Sequence, residues 1–449
     1  MMKTLPLMLC GLLIMGGANA AVDNKTVQQL DQNLTPVGAE RAGNTSGTIP
    51  EWTGGITAPP PGYIAGEHHP DPYQDDQPLY EITRDNLATY KNILSAGSIA
   101  LLNQYPDYRI HVYPTRRSAS LPNRIYQDTR ANATSAELTY RSNGVQGTAS
   151  GIPFPAPKDG LEAIWNHILR YRGETLDATT NRTVVNPNGS YSLVKINKQV
   201  YFVYGREGNT ADDIDNRLFY YKHKVTAPAS LAGTALLVNE PLDQIASVRK
   251  AWQYIPGQRR VRRLPKLAYN DLMPDTSGML TADTADMFNG APDRFEWTLA
   301  GKREMLEPYN SYKVHGSDLQ YSDILTPHTL NPDLLRYERH RVWIVDAKLR
   351  TGYKHNYAKR RFYIDEDSWQ ILMVDLYDTN DKLIRFQEAH PINYYEVPLM
   401  LSTLEVIYDL EGQRYFVDGL SNQETEYDFA ATGSPRNFTA SALRRENRK

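Results

Sequence analysis

Between Tyr191 and Gly419 the chain offers a succession of short stretches that read as strands, and almost no other element. They include "QVYFVYG", "RLFYYKHKV", "TALLVNE", "RYERHRVWIVDAKL", "KRRFYIDED", "WQILMVDLYD" and "LSTLEVIYDL". Turn-forming residues separate them, as in "EDS" before Trp369 and "DTND" before Lys382. Connections this short join antiparallel neighbours, because a parallel pair needs a long crossover. "WIVDAKLR" places Trp343, Val345, Ala347 and Leu349 on one face and Asp346, Lys348 and Arg350 on the other. An antiparallel sheet of roughly ten or more strands twists until it curls. The expected fold is therefore mainly β with some α: a curved antiparallel sheet or half-barrel, with helices covering the concave face. No tandem repeat of fixed period is visible, which argues against a propeller or solenoid.

Composition agrees. Tyrosine outnumbers phenylalanine 30 to 10, a bias that suits strands and half-wet surfaces. Hydrophobic residues make up 41% and charged ones 22%, enough apolar surface for a large core and too little charge for a disordered polyion. The net charge of -3 argues against nucleic acid as the partner. "MMKTLPLMLCGLLIMGGANA" has the form of a signal peptide, with Lys3, an apolar run from Leu5 to Met15 and a small-x-small site ending at Ala20. An acylated Cys10 is the rival reading, but Leu9 before it is not small and the apolar run continues past it. Cleavage after Ala20 removes the single cysteine, so the mature chain is expected in a periplasm without disulfides or zinc-thiolate sites, with association to the outer membrane open.

Three parts are expected: residues 1–20 as the leader, 21–150 as an extended arm with a helical segment wrapping the body, and 151–449 as the half-barrel. The arm is rich in Gly and Pro, and Trp52 and Tyr63 are its docking residues. A helix is expected around Asp85–Gln104, broken at Gly97-Ser98. The strongest helix starts at "PKDGLEAIWNHILRYRG". Asp159 and Glu162 have capping-box spacing, and Leu161, Ile164, Trp165, Ile168 and Leu169 form one apolar stripe. Gly173 stands where a stop is expected. This helix is the expected lid over a cavity.

Several long segments then resemble a known family. They are "IPEWTGGI", "YPDYRIHVYPTRRSAS", "GIPFPAPKDGLEAIWNHILRYRG", "GQRRVRRLPKLAYN", "MFNGAPDRFEWTLAGKREMLEPYN" and "RRFYIDEDSWQILMVDLYD". The chain is identified as a member of the domain of unknown function 1329 family of exported Gram-negative proteins, similar to the lipoprotein-localisation carriers of the bacterial envelope. The resemblance implies a half-barrel closed by helices, an apolar cavity for acyl chains, and a lipid or apolar small molecule as ligand. It also implies a partner among inner-membrane exporters of the resistance-nodulation-division class or at the outer membrane. It supplies no catalytic residues.

Catalytic signatures are missing. There is no Gly-x-Ser-x-Gly elbow, His-Glu-x-x-His, Walker loop or Gly-x-Gly-x-x-Gly. His68-His69 near Asp71, Asp75 and Asp76 reads as a solvated acidic turn rather than a metal site, and His167 as a helix-boundary residue with its ring satisfied. The pairs Asp283/Asp286 and Glu366/Asp367 lie in turn-like segments. No cofactor, metal or catalytic residue is assigned. Two basic clusters, Arg116-Arg117 and Arg259, Arg260, Arg262 and Arg263, allow three readings. Arg259 and Arg263 bury against carboxylates of "ADTADMFNGAPD" while Arg260 and Arg262 face solvent, or one face meets an anionic head group, or the cluster docks an envelope partner. Leu161, Ile164, Trp165, Ile168, Leu169, Trp252 and Trp343 are the candidate cavity residues. The expected function is a periplasmic, non-enzymatic carrier or chaperone for a lipid-like ligand. A ligand-free adaptor of an export complex and a carboxylate-dependent envelope hydrolase are the alternatives.

Overall fold

The computed structural model describes residues 24–265, 267–274 and 276–447; the expected leader and its cleavage site lie outside the described residues. Among them no helix is long and apolar enough to cross a membrane.

The short strands β1 (Tyr80–Ile82) and β2 (Ile110–Val112) pair with each other, while β3 (Glu137–Leu138) and β4 (Val145–Gln146) make a separate ribbon. Two antiparallel meanders follow. The first runs through β5 (Thr175–Val185), β6 (Val194–Phe202), β7 (Phe219–Ala227), β8 (Ala235–Glu240), β9 (Lys250–Ile255) and β10 (Arg260–Arg263). The second runs through β11 (Phe295–Pro308), β12 (Tyr337–Leu349), β13 (Lys359–Asp365), β14 (Ile371–Tyr377), β15 (Leu383–Tyr394), β16 (Leu399–Asp409) and β17 (Arg414–Leu420). Last joins first: β17 pairs with β5, Tyr415 opposite Val185, and fuses the meanders into one sheet of 15 strands. The arm adds to this sheet, because Val112 of β2 bridges to Tyr337 of β12 in parallel.

The sheet is curved and does not close; β1 lies at one end of the strand order and β10 at the other. Twist accumulates over so many strands, and register shifts such as those at Leu299/Gly301, His390/Pro391 and Asp418/Leu420 bend individual strands further. The connection from β10 to β11 must carry the chain from one end of the order nearly to the other. The described residues of this segment, between Leu264 and Arg294, form a strap across one face of the sheet.

Alternation in the strands sends neighbouring residues into two different cores. Val345, Phe362, Ile364 and Val374 point to the face that carries helix α5 (Gly160–Leu169). Ile344, Tyr363, Met373 and Phe386 point to the opposite face, where they meet Leu101 and Leu102 of helix α3 (Ala96–Gln104). Helices α1 (Asn24–Gln29), α2 (Leu87–Tyr90) and α4 (Asn123–Ser135) complete the N-terminal part. The arm is held by the aromatic groups of its own sequence. Trp52 is buried and donates from Nε1 to the Ala119 carbonyl at 3.1 Å, and Tyr63 packs edge-on against Tyr395.

Two helix boundaries differ from expectation for visible reasons. The break falls between α2 and α3, before Gly97 rather than at it. Ser95 caps the Ser98 amide, and the buried Asp375 carboxylate accepts from the Ala96 and Gly97 amides at 3.2 and 2.8 Å. Gly97 is needed inside the helix because a Cβ there would lie 2.0 Å from the Phe386 ring. In α5, Asp159 caps as expected, accepting from the Leu161 and Glu162 amides, but Glu162 reaches back to the Lys158 amide, one residue before the cap. The helix ends at Leu169, and Gly173 serves the following turn at φ +88.

Candidate functional site

The first meander, strands β16 and β17 and the strap line a part-open chamber of about 230 Å³. Leu176, Val200, Phe202 and Phe219 line it from β5 to β7, and Leu401, Leu404, Ile407 and Phe416 from β16 and β17; Leu267, Met273, Leu280 and Ala282 close it from the strap. Charge is set into this apolar wall. Arg172, Arg182, Lys198 and Arg249 face Glu240, Asp286, Glu405 and Asp418.

Most of these charges are matched. Arg249 meets Glu240 at 2.6 Å with both side chains buried. Arg182 lies 3.4 Å from Asp418, and Arg172 lies 2.6 Å from Asp286. Lys198 and Glu405 differ: among the described residues neither has a partner of opposite charge within 4 Å. The Lys198 ammonium sits 4.8 Å above the Tyr427 ring, within 3.4 Å of its hydroxyl. Burial lowers its pKa. Burial, reinforced by Asp286 and Asp418, pushes Glu405 up to about 8. At neutral pH Glu405 is therefore mostly a protonated acid that can donate a hydrogen bond. An apolar cleft with an ammonium outside any ion pair and a neutral carboxyl offers apolar contact, a positive charge and a hydrogen-bond donor side by side.

The strap is tied down at points that the sequence does not advertise. Asp283 accepts from Arg360 at 2.5 Å and contacts His355 at 3.0 Å. Asp286 holds Arg170 and Arg172 together. For both carboxylates burial opposes ionisation, but the arginines outweigh it and hold the pKa well below the usual range. Arg249 donates to the carbonyls of Ala282 and Asn289, and Arg385 to that of Met279. His167 is wholly buried rather than at a boundary. Its Nδ1 accepts from the Ile371 amide at 3.0 Å, so Nε2 carries the proton and donates to the Asp286 carbonyl at 2.9 Å. Burial pushes its pKa down to about 3, with Arg170 adding to the effect. It is a neutral brace for the strap.

The sequence-derived cavity residues fall elsewhere. Ile164, Trp165, Ile168 and Leu169 are buried in the solid core between α5 and the second meander, with Leu161 at its margin. Gly160 marks how close the helix sits, since a Cβ there would meet the Thr298 backbone at 2.9 Å. Trp343 stacks on Trp369 in the same core. Trp252 packs with Tyr254, Phe438 and Leu443 near the sheet edge. None of the seven lines the chamber. The cover is the strap, a segment without periodicity, so helical amphipathicity could not have revealed it; its length without regular structure was the available signal.

The arginine clusters also need correction. Arg259 takes a left-handed turn at φ 48, and Arg260, Arg262 and Arg263 form β10, whose paired neighbour is β9 alone. All four are exposed. Arg259 and Arg263 do not bury against the strap carboxylates, because Arg360, Arg170 and Arg172 have claimed those. Arg116 and Arg117 are structural. Arg116 pairs with Asp76 at 2.6 Å, and the buried Arg117 grips Asp367 at 2.6 and 2.8 Å while donating to the Glu40 and Arg41 carbonyls of the arm. The acid pairs are likewise engaged, Glu366 by Lys302 at 2.8 Å and Asp367 by Arg117.

A curled, open and mainly antiparallel sheet with a charged, part-apolar chamber under a strap defines a half-barrel protein with an internal hollow. A sequence model of the family described as "Protein of unknown function (DUF1329)" matches residues 81–444, and the chain belongs to that family. Uncharacterized protein PA3922 of Pseudomonas aeruginosa is 43% identical over 429 residues, covering 95% of this chain and 94% of that protein. Partial likenesses to solved structures include a domain from Vibrio parahaemolyticus described as a "putative outer membrane lipoprotein-sorting protein domain" (TM-score 0.44, 14% identity, 64% of this chain and 98% of that one). They also include a DUF1329 family protein from Desulfovibrio piger (0.41, 16%, 60% and 92%) and a LolA superfamily protein from Nitrosomonas europaea (0.38, 12%, 63% and 98%).

Proposed function

We propose that the protein is a non-enzymatic carrier of the Gram-negative periplasm that holds an amphiphile, an apolar chain with one acidic head, in the chamber under the strap. The observation that carries this reading is the lone ammonium of Lys198 inside an otherwise apolar and charge-matched wall. An acyl chain gains about 0.8 kcal/mol per methylene on leaving water, and an acidic head would meet Lys198 and hydrogen-bond to the neutral Glu405. Ligand pockets of this kind are typically ~300–1,000 Å³. The chamber at about 230 Å³ is smaller, so loading requires the strap to move outward. Export to the periplasm is the reading of the leader sequence. The partner, an exporter of the inner membrane or an acceptor at the outer one, would be met through the exposed groove of Trp252, Arg260, Arg263, Arg444 and Arg445.

Delipidated protein titrated with a fluorescent fatty acid tests the reading. Saturable uptake that is lost in Val200→Trp, with the fold retained by circular dichroism, is expected. Native mass spectrometry of protein taken from its own periplasm should show a bound amphiphile. No uptake by the delipidated protein, together with a ligand-free native mass, overturns the carrier.

A further inference from the structure

Three histidines from two distant parts of the chain converge on one carboxylate oxygen. Glu426 Oε2 lies 2.7 Å from His315 Nε2, 3.2 Å from His69 Nδ1 and 3.4 Å from His68 Nδ1. The solvated acidic turn expected at His68-His69 is not what forms: the His69 side chain is wholly buried, and the two rings meet Glu396, Glu424 and Glu426 in place of the neighbouring aspartates. His69, His315 and Glu426 are buried, His68 nearly so.

Each ring has its far nitrogen engaged. His68 Nε2 faces the Glu424 carbonyl at 3.1 Å, His69 Nε2 faces Glu396 Oε2 at 2.8 Å, and His315 Nδ1 faces Thr403 Oγ1 at 2.5 Å. A carbonyl and a carboxylate only accept hydrogen bonds, so the far nitrogens of His68 and His69 carry the ring protons. In the neutral ring His68 Nδ1 is then a bare lone pair aimed at the Glu426 carboxylate. His69 differs: burial opposes its charge, but hydrogen bonds to the two carboxylates it lies between outweigh burial and raise its pKa to about 9, so it donates to both. His68 Nδ1 is buried and has no hydrogen-bond partner. The His68 lone pair and the Glu426 oxygen, 3.4 Å apart, repel each other unless something positive sits between them. Histidines that bind a metal show this pattern, one nitrogen inward and the other anchored to an acceptor of the second layer.

We propose that His68 Nδ1, His315 Nε2 and Glu426 bind a divalent transition metal of the zinc class, with His69 Nδ1 as the fourth ligand. The three ligand atoms of His68, His315 and Glu426 lie within 4.8 Å of one another. Bonds of about 2.0–2.1 Å to a tetrahedral ion place ligands roughly 3.3 Å apart, so the His315–Glu426 pair opens from 2.7 Å while wider separations close, an adjustment within the reach of the side chains. Imidazole and carboxylate ligands suit zinc. A dication would also balance Glu426 and the adjacent Glu396, taking the place of the proton that His69 otherwise holds between them. The ion would clip the arm, through His68 and His69, to the body at His315 and to the C-terminal segment at Glu426. Its neighbours Thr403 and Tyr427 are walls of the chamber, so the clip also fixes that wall. The site stands apart from the carrier reading and holds whether or not an amphiphile binds.

The test uses the mature wild-type chain, stripped with a chelator, dialysed, and equilibrated with zinc alone. About one zinc per chain should survive gel filtration, and Tm should rise with zinc until the site is filled. The zinc-edge absorption spectrum should show at least two imidazole ligands. His68→Ala, on the exposed side of the cluster, should keep the fold and lose more than about tenfold in zinc affinity, since losing even an outer-shell partner costs about 10–100-fold; His315→Ala and Glu426→Gln should abolish retention. The proposal is overturned if the wild-type chain retains no zinc and its Tm is indifferent to it. It is equally overturned if His68→Ala binds zinc as wild type does, or if the spectrum lacks imidazole.

Discussion

Asp286 of the strap and Arg172, at the entrance to the first meander, are joined at 2.6 Å, and the same carboxylate holds Arg170. The pair links the cover of the chamber to its wall. Breaking a buried pair by removing one partner leaves the other charge stranded, at a cost of about 3–5 kcal/mol; with Asp286 partly accessible the lower end applies. Asp286→Asn should lower stability by about 3 kcal/mol, raise hydrogen exchange in residues 267–289 more than elsewhere, and speed uptake of a fatty probe. Unchanged exchange in that segment would show that the strap is held by something else. The native pKa of Asp286 is depressed, so its contribution is present above the unfolded value of about 3.9 and is lost as pH falls through the native one. The strap pin should therefore hold throughout the neutral and mildly acidic range.

Glu388 and Glu405 bring the opposite sign. Burial pushes each up to about 8, above the unfolded value of about 4.3. Between those values the native state keeps a proton that the unfolded chain has lost. Stability should fall as pH rises across that window, by ~1.4 kcal/mol per unit for each group. Thermal melts from pH 5 to pH 8 should show a falling Tm, and Glu388→Gln, which preserves the Tyr337 hydroxyl's 3.0 Å contact, should flatten the slope. An equal slope in the variant removes Glu388 from the account.

Ionisation of Glu405 adds negative charge beside Asp286 and Asp418. Affinity for an anionic amphiphile should weaken as pH rises through about 8, and Glu405→Gln should bind with little pH dependence over that span. Lys198→Ala should lose about 1.5–3 kcal/mol of binding, the worth of a hydrogen bond to a charged group, and should lose less for an uncharged alcohol of equal chain length. Equal losses for acid and alcohol would place the head group elsewhere.

Ile164 separates the core from the chamber. It is fully buried beneath α5, so Ile164→Ala should cost about 2–5 kcal/mol of stability. Because it does not line the chamber, probe affinity of the folded variant should stay within about twofold of wild type. A selective loss of affinity would return α5 to the role of lid.

Gly97→Ala probes the other face of the sheet. The added Cβ would collide with Phe386, and overpacking of this kind costs typically 1–3 kcal/mol. Urea unfolding should show that loss, and Phe386→Leu in the same chain should recover part of it.

The meanders were legible because alternation and turn residues record strands locally. Val345 and Ala347 on one side and Asp346 on the other appear in the structure as the letters imply, with Asp346 paired outside to Arg361. That Ile344 is also buried was not legible, since it depends on α3 and the arm covering the second face. The stripe of α5 correctly marked a buried helix, but an apolar stripe does not say whether it faces a cavity or a core. The chamber is built by residues whose partners lie far away in sequence, such as Arg172 with Asp286 and Arg182 with Asp418. The four arginines at Arg259–Arg263 seemed to demand neutralisation because a strand has two faces. At the rim of the sheet these arginines stay exposed although Val261 between them packs near Phe438 and Leu443, and charge there guards the unpaired edge.

The seam between β17 and β5 is where the two meanders touch, while the strap runs between their outer limits. Together they make a closed circuit through the molecule: seam, one meander, strap, the other meander. Any outward swing of the strap must alter how tightly the sheet is bowed, and any partner that flexes the rim at β10 pulls on the same circuit. Opening from a distance thus needs no signal through the core; tension along the chain itself suffices.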